Sequence, residues 1–166
     1  MNDAGASVPL SATAQRVQDA LTAAGISTSV TEHAVPARTS AEAAVVLHCD
    51  VGQIAKSLVF RTASGMPVLV IASGAHRVDE TRIAALVGEP IGKADAAFVR
   101  QVTGYAIGGI PPLAHAQRLR TYVDRNLLAF QTVYAAGGTP HALFPIAPDD
   151  LVRVSGGVVA HTALAA

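Results

Sequence analysis

Lys56 stands in the run VGQIAKSLVF and is one of only two lysines in a chain that has ten arginines. Ile54, Ala55, Leu58 and Val59 surround it in sequence, so the ammonium is a positive charge set among apolar neighbours. Such a group suits an anionic ligand such as a phosphate, or the polarisation of an ester carbonyl. Most lysines are solvated surface charges, so this one carries meaning only if other polar groups converge on it. Ser57, its neighbour, is a candidate substrate contact.

The second candidate is the segment Gly104-Tyr105-Ala106-Ile107-Gly108-Gly109-Ile110-Pro111-Pro112. Read as turn chemistry, it is a tight corner. Read as a site, the paired Gly108 and Gly109 let backbone N–H groups come close to a substrate, and the prolines hold that loop rigid. An oxyanion or water-orienting site needs both properties, and Ile110 and Pro111 would then line it. A third candidate is Gly137-Gly138-Thr139-Pro140-His141, in which Gly138, Thr139 and His141 are expected to line a pocket. His141 has no acidic partner at a recognisable spacing, which argues against a general base.

Several chemistries are disfavoured. The phosphate-binding patterns GxGxxG and GxxxxGK[ST] are absent. The other histidines, at 33, 48, 76, 115 and 161, form no HxxxH or HExxH pair, so no metal and no cofactor are expected. The single cysteine, Cys49, excludes an internal disulfide and a cysteine-based zinc site. Adjacent residues on a helix point about 100° apart, so His48-Cys49 is not a catalytic dyad. No GxSxG elbow offers a serine nucleophile.

The elements that must position these residues follow from local signals. Ser11 caps a helix through TAQRVQDALTAAG, which Gly25 stops. STSVTEH (27–33) reads as a short strand, and Thr39-Ser40 opens a second helix. AKSLVFRTASGMPVLVIASG predicts an antiparallel hairpin whose runs Leu58–Phe60 and Val68–Ala72 flank a Ser64-Gly65 turn. Asp79 starts a helix that ends at Gly88, and another runs from Ala94 to Val102. Residues 105–115 read as a strand entering the glycine-proline corner, and 120–130, 131–138 and 141–146 each carry a strand. Pro148-Asp149-Asp150 gives a last helical turn before GGVVAH. Helices alternating with hairpins predict an α/β chain of the α+β type: one domain over 11–166, with a mixed, mainly antiparallel, barrel-like sheet surrounded by helices. Residues 1–10 are expected to be a flexible N-terminus.

A 166-residue chain with 51% hydrophobic residues is long enough for one substantial core. Its formal net charge is zero, so no global field favours long nucleic acid, and DNA is not an expected partner. Contact with RNA would have to be local, for which an arginine rim drawn from Arg61, Arg77, Arg100, Arg118 and Arg120 is the candidate. No stretch approaches the ~20 apolar residues of a membrane span, and no secretory signal opens the chain. A cytoplasmic protein with no membrane partner is expected.

In order along the chain, IAKSLVF, VLVIASG, VDETRIAALVG, YAIGGIPP and GTPHALFPI resemble the YbaK / prolyl-tRNA synthetase insertion-domain family of editing deacylases, over residues 26 to 160. The resemblance implies hydrolysis of the ester joining a mischarged amino acid to the 3′ end of tRNA, often tRNA for proline. It implies that Lys56 is the hallmark residue, that Gly108 to Pro111 line the reaction centre, and that His141 is the counterpart of a histidine that tunes amino-acid selection. Pro140 departs from the family's glycine at that point. An aminoacyl ester is already activated, so a placed water and stabilisation of the carbonyl oxygen suffice, which fits the lack of a triad. The 3′ end of aminoacyl-tRNA is thus the expected partner, with a synthetase or elongation factor as a second one. Two other readings stand beside it: a non-catalytic tRNA- or synthetase-binding module, and a hydrolase of another small acyl ester.

Overall fold

A computed structural model describes residues 9–165. The expected flexible N-terminus therefore lies largely outside the described residues. Leu10, at its end, packs against the main core.

Helix α1 (Ala12–Ala23) starts where Ser11 Oγ accepts a hydrogen bond from the N–H of Ala14, and it buries Ala14, Val17 and Leu21. Helix α2 (Ser40–Leu47) is capped by Thr39, whose hydroxyl accepts from the N–H of Glu42 at 3.1 Å. Asp79 caps α3 (Glu80–Val87) and Asp95 caps α4 (Ala96–Thr103). Gly88 and Gly104 end those two helices at φ of 89° and 84°, in the left-handed region that glycine adopts without a steric penalty. Helix α5 (Pro148–Ser155) is longer than the single turn expected, because Leu151 reaches the core and is fully buried.

The strands are β1 (Thr31–Glu32), β2 (Ile54–Thr62), β3 (Pro67–Ser73), β4 (Ile91–Lys93), β5 (Arg120–Asp124), β6 (Val133–Ala136), β7 (Ala142–Ile146) and β8 (Val158–Ala160). They form one mixed sheet in the order β1-β7-β6-β2-β3-β5-β8, with β4 added on β2. Four pairings are antiparallel (β1–β7, β6–β7, β2–β3, β2–β4) and three are parallel (β2–β6, β3–β5, β5–β8). The sheet is open, with β1 and β8 at its edges, so its curvature stops short of a closed barrel.

Two local expectations differ. Residues 105–115 are irregular rather than a strand, because Gly104 ends α4 in the left-handed region and the chain turns at once into the glycine corner. The 27–33 strand shrinks to the two residues that pair with β7.

The hairpin β2–β3 carries core on both faces, since successive side chains on a strand point to opposite sides. Ala55, Val59, Leu69 and Ile71 face the larger core, which α1, α4 and α5 close. Phe60, Val68, Val70 and Ala72 face a second cluster under Ile83 of α3. A third, smaller cluster joins Ala43 and Ala44 of α2 to Ile54 and Leu143.

Candidate functional site

The two edges of β2 are used differently. One edge pairs with β3 from Ala55 opposite Ser73 to Arg61 opposite Pro67. The other meets β6 only at Ile54 and Ala55 and β4 only from Phe60 to Thr62. Residues 56–59 therefore have no strand partner on that side, and the sheet forks there. A cavity of roughly 490 Å³ occupies the fork. Ala55, Lys56, Ser57 and Leu58, four consecutive residues, all line it. On a fully paired strand, alternate residues would be on opposite faces of a closed surface, so this continuous lining is the signature of the open edge.

Lys56 is the third residue of β2. Opposite it lies the small Ala72, and Ile54 and Leu58 flank it on the same face. The ion pairs among the described residues are Arg82–Asp79 and Arg153–Asp150, so no carboxylate compensates the ammonium. Burial, reinforced by the nearby charge of Arg77, holds Lys56 below the usual lysine range. Ser57 Oγ is shielded from solvent and has no hydrogen-bond partner among the described residues. A buried hydroxyl without a partner costs free energy that a ligand polar group could recover.

The glycine corner reaches the same cavity. Ile107, Gly108 and Ile110 line it. The root of the corner is fixed: Tyr105 is 1% exposed, and its hydroxyl donates to the carbonyl of Ala114 at 2.9 Å and accepts from Arg16 Nε at 3.2 Å. At the far end a His115 ring nitrogen lies 2.6 Å from the carbonyl oxygen of Pro111, and burial keeps that ring below the usual histidine range against the pull of this bond. The two glycines do different things. Gly109 donates its N–H to the carbonyl of Ala106 at 3.1 Å, and a Cβ on it would lie 2.7 Å from Thr139 Cα. Gly108 has a φ of 92° and only Pro140 Cγ, at 3.8 Å, near the place of its Cβ.

Lys56, Ser57, Gly108 and Ile110 are thus brought together. Gly109, Pro111, Gly138, Thr139 and His141 do not line the cavity. Pro111 is buried behind the corner, and Thr139 supports Gly109. Gly138 turns at a φ of 106° against Thr13 and Val17 of α1. His141 Nδ1 lies 2.9 Å from the carbonyl oxygen of His33, and the His33 N–H donates to the carbonyl of His141 at 2.7 Å, which extends the β1–β7 ladder. Of the expected arginine rim, Arg120 donates to the Leu86 carbonyl at the end of α3, and Arg61 stacks on Phe98, 4.7 Å from the ring centre. Arg77 is the member whose charge acts on Lys56.

The sequence reading missed the opposite wall. Arg38, Thr39 and Ser40 at the start of α2, and Gly74 after β3, also line the cavity. A Cβ on Gly74 would lie 2.6 Å from Ser40 Cβ and 2.6 Å from the Val51 carbonyl oxygen, so only glycine lets the first turn of α2 sit against the end of β3. The signal was the Ser73-Gly74 pair that closes an apolar strand run.

A profile of the aminoacyl-tRNA editing domain matches residues 34–154. The uncharacterized protein YwhH of Bacillus subtilis (strain 168) is 30% identical over 126 residues, 76% of this chain and 80% of that protein. Among solved structures, a protein provisionally assigned as a trans-editing enzyme for prolyl-tRNA synthetase shares 42% identity at a TM-score of 0.89, over 95% of this chain and 100% of that one. The hypothetical protein APE2540 shares 34% identity at a TM-score of 0.83, over 90% of this chain and 99% of that one.

Proposed function

The chain belongs to the aminoacyl-tRNA editing domain family, and on that premise we propose that it is a trans-editing hydrolase that cleaves the ester of mischarged aminoacyl-tRNA. The observation that carries this reading is the convergence of the uncompensated Lys56 ammonium and the Gly108 corner on one cavity in the forked sheet. Water adds to the ester carbonyl, the tetrahedral oxyanion collapses, and the terminal ribose hydroxyl leaves with a proton, giving free amino acid and tRNA. Lys56 holds the terminal phosphate or ribose and keeps the ester in place. The N–H of Gly108, on a corner pinned by Tyr105 and His115, orients water or stabilises the developing oxyanion. Gly109 serves by letting the corner lie on Thr139, and Ser57 offers its unpartnered hydroxyl to the substrate.

tRNA for proline carrying a small amino acid is the favoured substrate. The assignment of the 42%-identical structure to prolyl-tRNA synthetase supports the acceptor, and the alanines along the cavity wall support a small side chain. A second site of this kind removes what a synthetase alone cannot reject, since one methylene distinguishes amino acids by only about 1–3 kcal/mol. A synthetase or elongation factor delivering the substrate would offset the weak field of a chain with zero net charge. That neutrality also favours a second reading, a hydrolase of another small acyl ester. Incubating the protein with tRNA for proline charged with alanine, serine or proline, and with small acyl esters, tests both. Release of alanine or serine but not proline is expected. Release from the small esters alone would replace the first reading with the second.

A further inference from the structure

Lys56, Arg38 and Arg77 come from three segments that meet at Gly74. Lys56 is paired with Ala72, two residues before that glycine, and Arg77 follows it by three. Arg38 precedes Ser40, the residue on which Gly74 packs. Arg38 and Lys56 line the cavity, and no aspartate or glutamate does. None of the three is in an ion pair among the described residues. Arg38 and Lys56 thus line the cavity and the charge of Arg77 acts on Lys56, while Glu42, which does not line it, accepts from the backbone N–H of Arg38 at 2.8 Å. Like charges so placed repel one another, and an anion between them removes the cost.

The three differ in depth. Lys56 is half-buried in β2, whereas Arg38 and Arg77 are exposed. A phosphodiester keeps its charge and much of its hydration, so it belongs at the exposed arginines, whose planar donor forks match its oxygens. A neutral ester is easily desolvated and belongs deeper, beside the lysine. Thr39, Ser40 and Ala41, at the start of α2, form the adjoining cavity wall.

We propose that Arg38 and Arg77 form a phosphate clamp at the mouth of the cavity, which holds the phosphodiester on the 5′ side of the terminal nucleoside and leaves Lys56 to the ribose and the ester. This rests on the deacylase reading for the identity of the ligand. It divides the work that reading gives to Lys56 between two levels of the site.

The experiment compares 3′-alanyl-adenosine with 3′-alanyl-adenosine 5′-monophosphate as substrates. The intact chain should favour the phosphorylated ester by about tenfold or more in kcat/KM, through KM, since a hydrogen-bonded charge pair contributes about 1.5–3 kcal/mol. In the R38Q/R77Q double variant that ratio should fall to near one. A ratio near one in the intact chain, or an unchanged ratio in the variant, would overturn the clamp. Titrating adenosine 5′-monophosphate and adenosine into both proteins, followed on the amides of Ser40 and Gly74 by NMR, gives the same comparison without turnover. If the intact chain hydrolyses neither ester, the deacylase reading fails while the titration still decides the clamp. Tighter binding of the nucleotide that the double variant loses supports it, and equal binding of both ligands in the intact chain overturns it.

Discussion

Two of the chain's three Gly-Gly pairs look alike in sequence and do different work. Gly108-Gly109 forms the corner beside Lys56, with Gly108 facing open cavity and Gly109 seated on the backbone of Thr139. Gly137-Gly138 ends β6 and turns it away from β2, with Val30 and Ala142 against the first glycine and α1 against the second. The second pair opens the fork, and Gly108 of the first lines it. What sets Gly108 apart from the other three is what a Cβ would meet: open cavity there, and packed atoms at Gly109, Gly137 and Gly138.

Substitutions at these positions test that distinction, and the largest effect should come from Gly109→Ala. Its Cβ would meet three backbone atoms of Thr139 at 2.7–2.9 Å, which have little freedom to move. A loss of about 3 kcal/mol in urea unfolding is expected, toward the upper end for overpacking, together with loss of deacylation. Gly137→Ala should cost about 2 kcal/mol by the same mechanism, because its Cβ would lie 2.6 Å from a Val30 methyl carbon that can shift. Turnover per folded molecule should persist in that variant, and its loss would show that the β6 bend takes part in catalysis. Gly108→Ala reverses the pattern. Only the left-handed backbone penalty of about 1–2 kcal/mol applies, but relaxation of the strained corner should lower kcat about tenfold or more.

Smaller effects concern the supports of the two walls. Burial holds His115 below the ordinary histidine range in the folded chain, so the unfolded chain takes up the proton first as pH falls through the ordinary value of about 6.5. Stability present above that value is therefore lost below it. His115→Gln should flatten this acid limb in a series of urea melts. His161, also held below the usual histidine range, remains in both proteins, so their difference isolates the ring beside Pro111. The smallest change should follow Arg77→Gln. Removing that charge lifts part of the repulsion on Lys56 and raises its titration toward the ordinary lysine range, which side-chain NMR can follow.

Local features were legible in the sequence because their causes are local. Ser11, Thr39 and Asp79 cap the helices they announced, and Ser64-Gly65 turns the hairpin. Lys56 and Gly108 were readable as residue types suited to a site, and the structure puts both on one cavity. The fork was not readable. It depends on a parallel pairing between Ile54 and Tyr134, eighty positions apart, and on the three-residue β4, too short to give a periodic signal. The cavity wall made by Arg38, Ser40 and Gly74 was hidden for the same reason. His141 and Gly138, expected in the pocket, are held by backbone pairing with His33 and by packing on α1, and no nearest-neighbour pattern reveals either.

The proposed function requires that Lys56 be kept in the fork for chemistry rather than for stability. Lys56→Met keeps the length and apolar stem while deleting a half-buried charge that has no counterion and is repelled by Arg77. Thermal unfolding and release of the amino acid from mischarged tRNA for proline, measured on the same preparation, test the claim directly. An unchanged or higher Tm with deacylation abolished is expected. Full deacylation by that variant would contradict it.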